Sequence, residues 1–265
     1  QAMDSASTEQ ESVISRVPRE QPLALSFAQQ RQWFLWQLDP TSSAYHIPAA
    51  LRLRGALDPA ALQQSFDALV ERHESLRTRF VLDNERPVQV IEDAAAVTIA
   101  LAAVDAALDA QGLRGLIEAE TRQLFDLQHG PLLRVKLLQL AVDDHVLILT
   151  QHHIVSDAWS MQIMVDDLMQ LYAGFSQGQP AALTPLPIQY ADYGHWQRQW
   201  LEAGEQQRQL DYWTAQLGGE QPILELATDH PRPAQQSYRG ARLPISLEPA
   251  LAEGLKRLAK ERNTT

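Results

Sequence analysis

The apolar positions along the chain change period several times, and each change marks an element. Val146-Leu147-Ile148-Leu149-Thr150 is a continuous, branched run, the pattern of a strand covered on both faces. It leads into Gln151-His152-His153-Ile154-Val155-Ser156-Asp157. From Ala158 to about Phe175 the period becomes helical, with Met161, Met164, Val165, Leu168 and Leu171 or Tyr172 on one side. Asp157 stands where this helix needs its N-cap. The order is strand, histidine pair, tight loop, helix.

Upstream, residues 23–38 predict a helix capped by Ser26, with Phe27, Gln30, Phe34 and Leu38 along one side. Its aromatics Trp33, Phe34 and Trp36 read as core and rim packing rather than ligand contacts. Residues 47–53 predict a strand, and Asp58-Pro59 opens a helix whose inward face is Leu62, Phe66, Leu69 and Val70. Residues 76–82 alternate as a strand and return through Asp83-Asn84 as residues 88–91. Residues 98–104 predict an edge strand, and residues 113–127 an amphipathic helix stopped by Gly130-Pro131. Residues 132–140 and 145–151 form a second hairpin, which makes the histidine strand central. Strands alternating with helices suggest a sheet covered on one face by helices. Residues 178–187, rich in Gly, Gln, Pro and Ala, mark the expected domain boundary. Beyond it, residues 188–217 predict one long helix or a broken pair, 241–247 a strand and 249–262 a helix. Residues 1–22 are polar and read as a linker or leader.

The chemistry rests on the histidine pair. Successive side chains on a strand point to opposite faces, so His152 and His153 are expected to diverge. Diverging rings do not share one metal ion, and no metal site is expected. An exposed histidine, with an ordinary pKa of about 6.5, suits proton transfer or the orienting of a nucleophile. The residues alone leave this reading open against a scaffold reading, in which Asp157 only caps and both histidines are satisfied polar groups.

Composition narrows the classes. A formal net charge of −11 argues against nucleic acid and anionic membranes. With no cysteine there is no disulfide, thiolate catalysis or zinc–thiolate site. No apolar run reaches the roughly 18 residues of a membrane span. The N-terminal residues lack a signal-peptide pattern, so the cytoplasm is the expected compartment.

Four segments, in order, resemble the condensation domains of nonribosomal peptide synthetases. Ser26-Phe27-Ala28-Gln29-Gln30-Arg31-Gln32-Trp33-Phe34-Leu35 is similar to the family's opening motif, with Gln32 where leucine is usual. Arg72-His73-Glu74-Ser75-Leu76-Arg77-Thr78-Arg79-Phe80 matches RHExLRTxF. His152-His153-Ile154-Val155-Ser156-Asp157-Ala158 resembles HHxxxDG, and Tyr190-Ala191-Asp192-Tyr193-Gly194-His195-Trp196-Gln197 resembles YxDYAxWQ.

The resemblance implies an α/β fold like chloramphenicol acetyltransferase, a two-layer sandwich of a mixed sheet covered by helices. Residues 23–180 would form the N-terminal lobe and 181–265 the start of a C-terminal lobe, with a substrate tunnel between lobes. It implies peptide-bond formation between a donor aminoacyl or peptidyl thioester and an acceptor aminoacyl thioester. Both are held on the phosphopantetheine of upstream and downstream carrier domains, beside an adenylation domain, with no cofactor bound directly. By position, His153 is the catalytic histidine, and His152, Asp157 and Arg72 support the site. Asp157 is expected to pair with an arginine, Arg72 in preference to Arg77, and Ala158 and Trp159 to face the tunnel. The SFAQQR opening and the Ser156-Asp157-x-Trp159-Ser160 continuation resemble domains that join an L-donor to an L-acceptor. Heterocyclisation domains carry aspartates where His152 and His153 stand, which sets them aside. Ala158 replaces the family's glycine. Family members continue well beyond Thr265, so these residues alone are expected to be inactive. A non-catalytic docking module and a free-standing acyltransferase using coenzyme A are the competing readings.

Overall fold

A strand that is apolar on both faces has to lie inside a sheet, and the histidine strand does. The computed structural model describes residues 13–105, 108–179, 183–231, 233–234 and 243–265. In chain order the elements are β1 (Leu23–Ala24), α1 (Phe27–Leu38), β2 (His46–Arg54), α2 (Pro59–Arg72), a 3-10 turn (Glu74–Arg77), β3 (Thr78–Asp83) and β4 (Arg86–Ile91). Then come β5 (Ile99–Ala103), α3 (Ala110–Thr121), β6 (Leu133–Ala141), β7 (Asp144–His152), α4 (Ala158–Phe175), α5 (Tyr190–Trp200), a π turn (Leu201–Glu205), α6 (Gln206–Leu217) and α7 (Pro249–Glu261).

The main sheet has the order β2-β7-β6-β5. β7 runs antiparallel to both β2 and β6, and β5 runs parallel to β6, so the sheet is mixed as expected. A separate sheet, β1-β4-β3, holds the first hairpin. Along β7, side chains alternate between two cores. Leu147 and Leu149 meet Leu62, Phe66 and Leu69 of α2 and Met164, Leu168 and Leu171 of α4. Val146 and Ile148 meet Leu138 of β6, with Leu113 and Ile117 of α3 packed beside them. Each fully buried leucine contributes about 1.5–3 kcal/mol relative to exposure. The helices therefore cover both faces of the sheet: α2 and α4 on one, α3 on the other.

Local chemistry sets the helix starts. Asp58 accepts from the amides of Ala60 and Ala61, with Pro59 at the first helical position. Ser26 and Gln29 form a capping box at α1. α1 buries a different side from the one expected: Phe34 and Leu38 are exposed, and Gln29, Gln32 and Trp33 face inward. α3 ends at Thr121, six residues before the expected stop at Leu127. The expected 188–217 helix is a broken pair, kinked at Gly204, whose φ of 117° suits glycine alone.

The described residues up to Gln221 pack as one unit, and those from Pro222 on as a second. α5 docks on the start of α1: Tyr190 Oη meets Ser26 Oγ at 3.0 Å, and the Phe27 amide donates to Gln197 Oε1 at 3.0 Å. Of the expected leader, residues 1–12 lie outside the described residues. The rest is anchored, because Val17 N–H donates to the fully buried Asp192 at 2.9 Å and Arg19 Nη1 lies 2.8 Å from it. In the second unit, α7 starts at Pro249. Of the strand expected over 241–247, the first two residues lie outside the described residues. The other five take part in no ladder among the described residues, and a strand needs a partner for its backbone groups. Among the described residues, no helix is long and apolar enough to cross a membrane.

Asp192 gives the fold an acid-sensitive latch. Burial works to raise its carboxyl pKa, but the Arg19 guanidinium and the amides of Val17 and Gln189 outweigh it and hold the carboxyl below its ordinary range. Its stabilisation is therefore complete above about pH 4 and is lost as pH falls through the lowered native value. Asp192→Asn is expected to cost about 3–5 kcal/mol at neutral pH in urea unfolding. The gap between wild type and variant narrows on acidification below pH 4 or so, and a gap independent of pH would contradict the latch.

Candidate active site

At the end of β7 the two histidines part as the alternation requires. His152 turns to the α3 face and is 3 % exposed. Its ring lies among His46 and Phe125, with centroids 6.1 and 6.2 Å away. Its Nδ1 accepts the Ile154 amide at 3.1 Å, so in the neutral ring Nε2 carries the proton. Burial, with the His46 and His153 rings adding to it, pushes its pKa down to about 3. A ring that is neutral and enclosed at working pH shapes the turn and takes no part in proton traffic with solvent. His46 is likewise lowered by burial, and its Nδ1 donates to the Thr121 carbonyl at 2.7 Å.

His153 lies on the opposite face, exposed. Its amide donates to the Tyr45 carbonyl at 2.8 Å, which fixes the backbone one residue past the strand. Its ring lines a cleft of about 360 Å³ between β7 and α4, shared with His73, Gln151, Asp157, Ser160 and Met164. Asp157 caps α4, accepting from the Ser160 amide and Ser160 Oγ, each at 2.7 Å. Those two bonds, the amide first, hold its carboxyl below the ordinary range, and His153 adds to the effect. An exposed imidazole beside a fixed carboxylate, at a helix start and over an open cleft, can accept a proton or orient an amine. Among the described residues, no group of three or more His, Asp or Glu side chains is arranged to hold a metal ion.

The expected ion pair of Asp157 with Arg72 does not form. Arg72 Nε instead donates to Asp167 at 2.9 Å, and its Nη1 to the Thr184 carbonyl at 2.7 Å. Arg77, the other candidate, donates to the Glu92 carbonyl. The reason is length: Asp157 and Asp167 lie ten residues apart in sequence, about 15 Å along a helix, and α2 packs beside the middle of α4. Ala158 and Trp159 do not line the cleft. They lead the first turn of α4, and Trp159 is 79 % exposed. Ala158 takes no positive φ, so alanine fits there without backbone strain.

Two features were not singled out from the sequence. Asp167 is 8 % exposed and also accepts from His73 Nε2 at 2.8 Å. Its signal was present: it is a carboxylate on the apolar side of α4, between Met164 and Leu171. Gln189 ties the start of α5 to the end of α2, donating to the Arg72 carbonyl at 2.8 Å and accepting the Glu74 amide at 3.1 Å. Nothing in a lone glutamine before a helix announces such a bridge.

The capping Asp157 and the buried Asp167 of α4 should therefore respond differently to truncation. Asp157→Ala removes a cap and is expected to cost about 0.5–2 kcal/mol. Asp167→Ala leaves a guanidinium and an imidazole without their carboxylate and is expected to cost about 3–5 kcal/mol. Urea midpoints of the two variants check the order, and a larger loss for Asp157 would restore the arginine pairing to it.

Comparison with known proteins gives a consistent picture. A profile described as "Condensation domain" matches residues 19–265. A linear gramicidin synthase of Brevibacillus parabrevis is 45 % identical over 258 residues, covering 95 % of this chain and 3 % of that protein. Malpinin synthetase of Mortierella alpina is 44 % identical over 253 residues, covering 95 % of this chain and 3 % of that protein. The chain thus spans a small fraction of the curated relatives it matches. Among solved structures, the X-domain from teicoplanin biosynthesis superposes with a TM-score of 0.81 at 30 % identity, over 96 % of this chain and 56 % of that one. The same X-domain has been solved in complex with OxyB.

Proposed function

This chain belongs to the condensation-domain family, and from that premise we propose that it forms peptide bonds within a nonribosomal peptide synthetase. The observation that carries the reading is the placement of His153: exposed, on the cleft, beside the capping carboxylate of Asp157, while its neighbour His152 is enclosed. The acceptor's amine nitrogen attacks the carbonyl carbon of the donor thioester. The C–N bond forms, the C–S bond breaks, and the proton released by nitrogen ends on the leaving thiolate. His153 either takes that proton in passage or holds the amine and the tetrahedral intermediate by hydrogen bonding. Holding two tethered substrates together contributes through their high effective concentration.

The proposed substrates ride on phosphopantetheine arms of upstream and downstream carrier domains, loaded by a neighbouring adenylation domain. The opening motif and the Ser156–Ser160 continuation favour an L-donor and an L-acceptor. Residues 181–265 are proposed as the first part of a second lobe. Turnover is assigned to the longer synthetase, since the relatives extend far beyond the match. The cytoplasm is the proposed compartment, because loading of carriers by adenylation draws on ATP. A second reading, a docking module without chemistry of its own, draws on the likeness to the teicoplanin X-domain, which has been solved in complex with OxyB.

The test separates the two. In the synthetase module that carries this chain, His153→Ala is expected to lower condensation by about 10²-fold or more with an unchanged melting temperature. Product on the acceptor carrier is read by mass spectrometry. Near-normal product would favour docking without chemistry at this site.

A further inference from the structure

The cleft contains a polar group that neither the proton path nor the scaffold uses. Gln151 precedes the histidine pair, is 1 % exposed, and lines the same cleft as His153. Residues two apart on a strand share a face, and Gln151 and His153 stand about 7 Å apart along it. Gln151 is therefore the deeper of the two, toward the core, and His153 is nearer the loop. The side-chain amide of Gln151 is poorly satisfied. Its Nε2 donates only to the thioether sulfur of Met164, at 3.0 Å, a weak acceptor. Its Oε1 has no partner among the described residues. Apart from His153 toward the loop, its neighbours there are apolar: Leu149 before it on β7, Ile47 and Leu133 across on β2 and β6, and Met164 of α4.

A buried amide left unpaired in apolar surroundings is destabilising. A leucine of similar size would fill the same place without that cost, so the amide calls for an explanation in terms of a ligand. Met164 also lines the cleft, and a thioether side chain is adaptable enough to move aside and admit a group.

We infer that Gln151 is a specificity-determining residue, which accepts a hydrogen bond from an N–H donor on the substrate side chain that enters the floor of the cleft. The inference rests on the proposed function for the identity of the substrate as an aminoacyl thioester. With the reacting amine at His153, the side chain of that residue is the part long enough to reach Gln151. A polar side chain with an N–H at its tip supplies the missing donor. An apolar side chain of the same shape leaves Oε1 unpaired, and a site built that way discriminates strongly against the partner that lacks the donor.

The experiment uses the purified 265-residue chain and N-acetylcysteamine thioesters of matched pairs: asparagine against leucine and glutamine against methionine. Binding is read by ligand-detected NMR titration. Wild type is expected to favour at least one donor-bearing member over its apolar isostere by about tenfold or more. Gln151→Leu is expected to abolish or invert that preference, and Gln151→Glu, which keeps the acceptor, to retain it. Melting curves of both variants accompany the titrations. If Gln151→Leu fails to fold, the comparison of wild type with Gln151→Glu still decides: a preference absent from both overturns the inference. Equal preference in wild type and folded Gln151→Leu overturns it as well, as does failure of every probe to bind. His153→Ala is expected to keep the preference. A persistent preference beside absent condensation in the module therefore sinks the proposed chemistry and leaves the binding role of Gln151 standing.

Discussion

The site depends on the pleat of a single strand end. β7 is hydrogen-bonded on both sides, by β2 through His152 and by β6 through Gln151, so its last residues have no freedom to choose a face. Adjacent identical side chains are thereby given opposite fates. His152 is pushed into an apolar pocket with its proton affinity suppressed, and His153 is delivered to the cleft. A slip of one residue in register would exchange them. The long ladder with β2, nine residue pairs from His46 to Arg54, is what makes such a slip costly.

A second set of constraints holds the walls of the cleft. α2 and α4 meet at Asp167, which gathers Arg72 and His73, and the 184–189 segment is tied to Arg72 through the Thr184 carbonyl and the Gln189 amide. Charged groups this enclosed add little net stability compared with an apolar packing of the same shape. Their effect is on geometry: carboxylate, guanidinium and amide each accept few arrangements, so the helix ends that bound the cleft are fixed relative to the strand that carries His153. Asp192 does the same for the 17–19 segment and α5.

Much of this was legible in the sequence because it is local. The period of β7, the Asp157 cap, the bounds of α4 and the divergence of the histidines all follow from spacing and from one residue's preference, and the structure reproduces them. What the sequence withheld is tertiary. α1 carries apolar residues on the side that stays open, and its buried face includes Gln29, whose side-chain oxygen the capping box already engages. The motif offered Arg72 the capping Asp157, and only the packing of α2 on the middle of α4 selects Asp167 instead. The alternating residues 243–247 look like a strand, but alternation states only that one face is apolar. It does not supply the neighbour that a ladder requires.

A strand end that turns one histidine to an open cleft and encloses its neighbour makes the two rings differ in accessibility. The decisive measurement is diethyl pyrocarbonate modification of the native protein, with tandem mass spectrometry resolving the adjacent positions. His153 is expected to be carbethoxylated in step with loss of condensation in the parent module, while His152 stays unmodified until the protein is unfolded. Modification of both rings at similar rates, or loss of activity that tracks His152 instead, would overturn this division of roles.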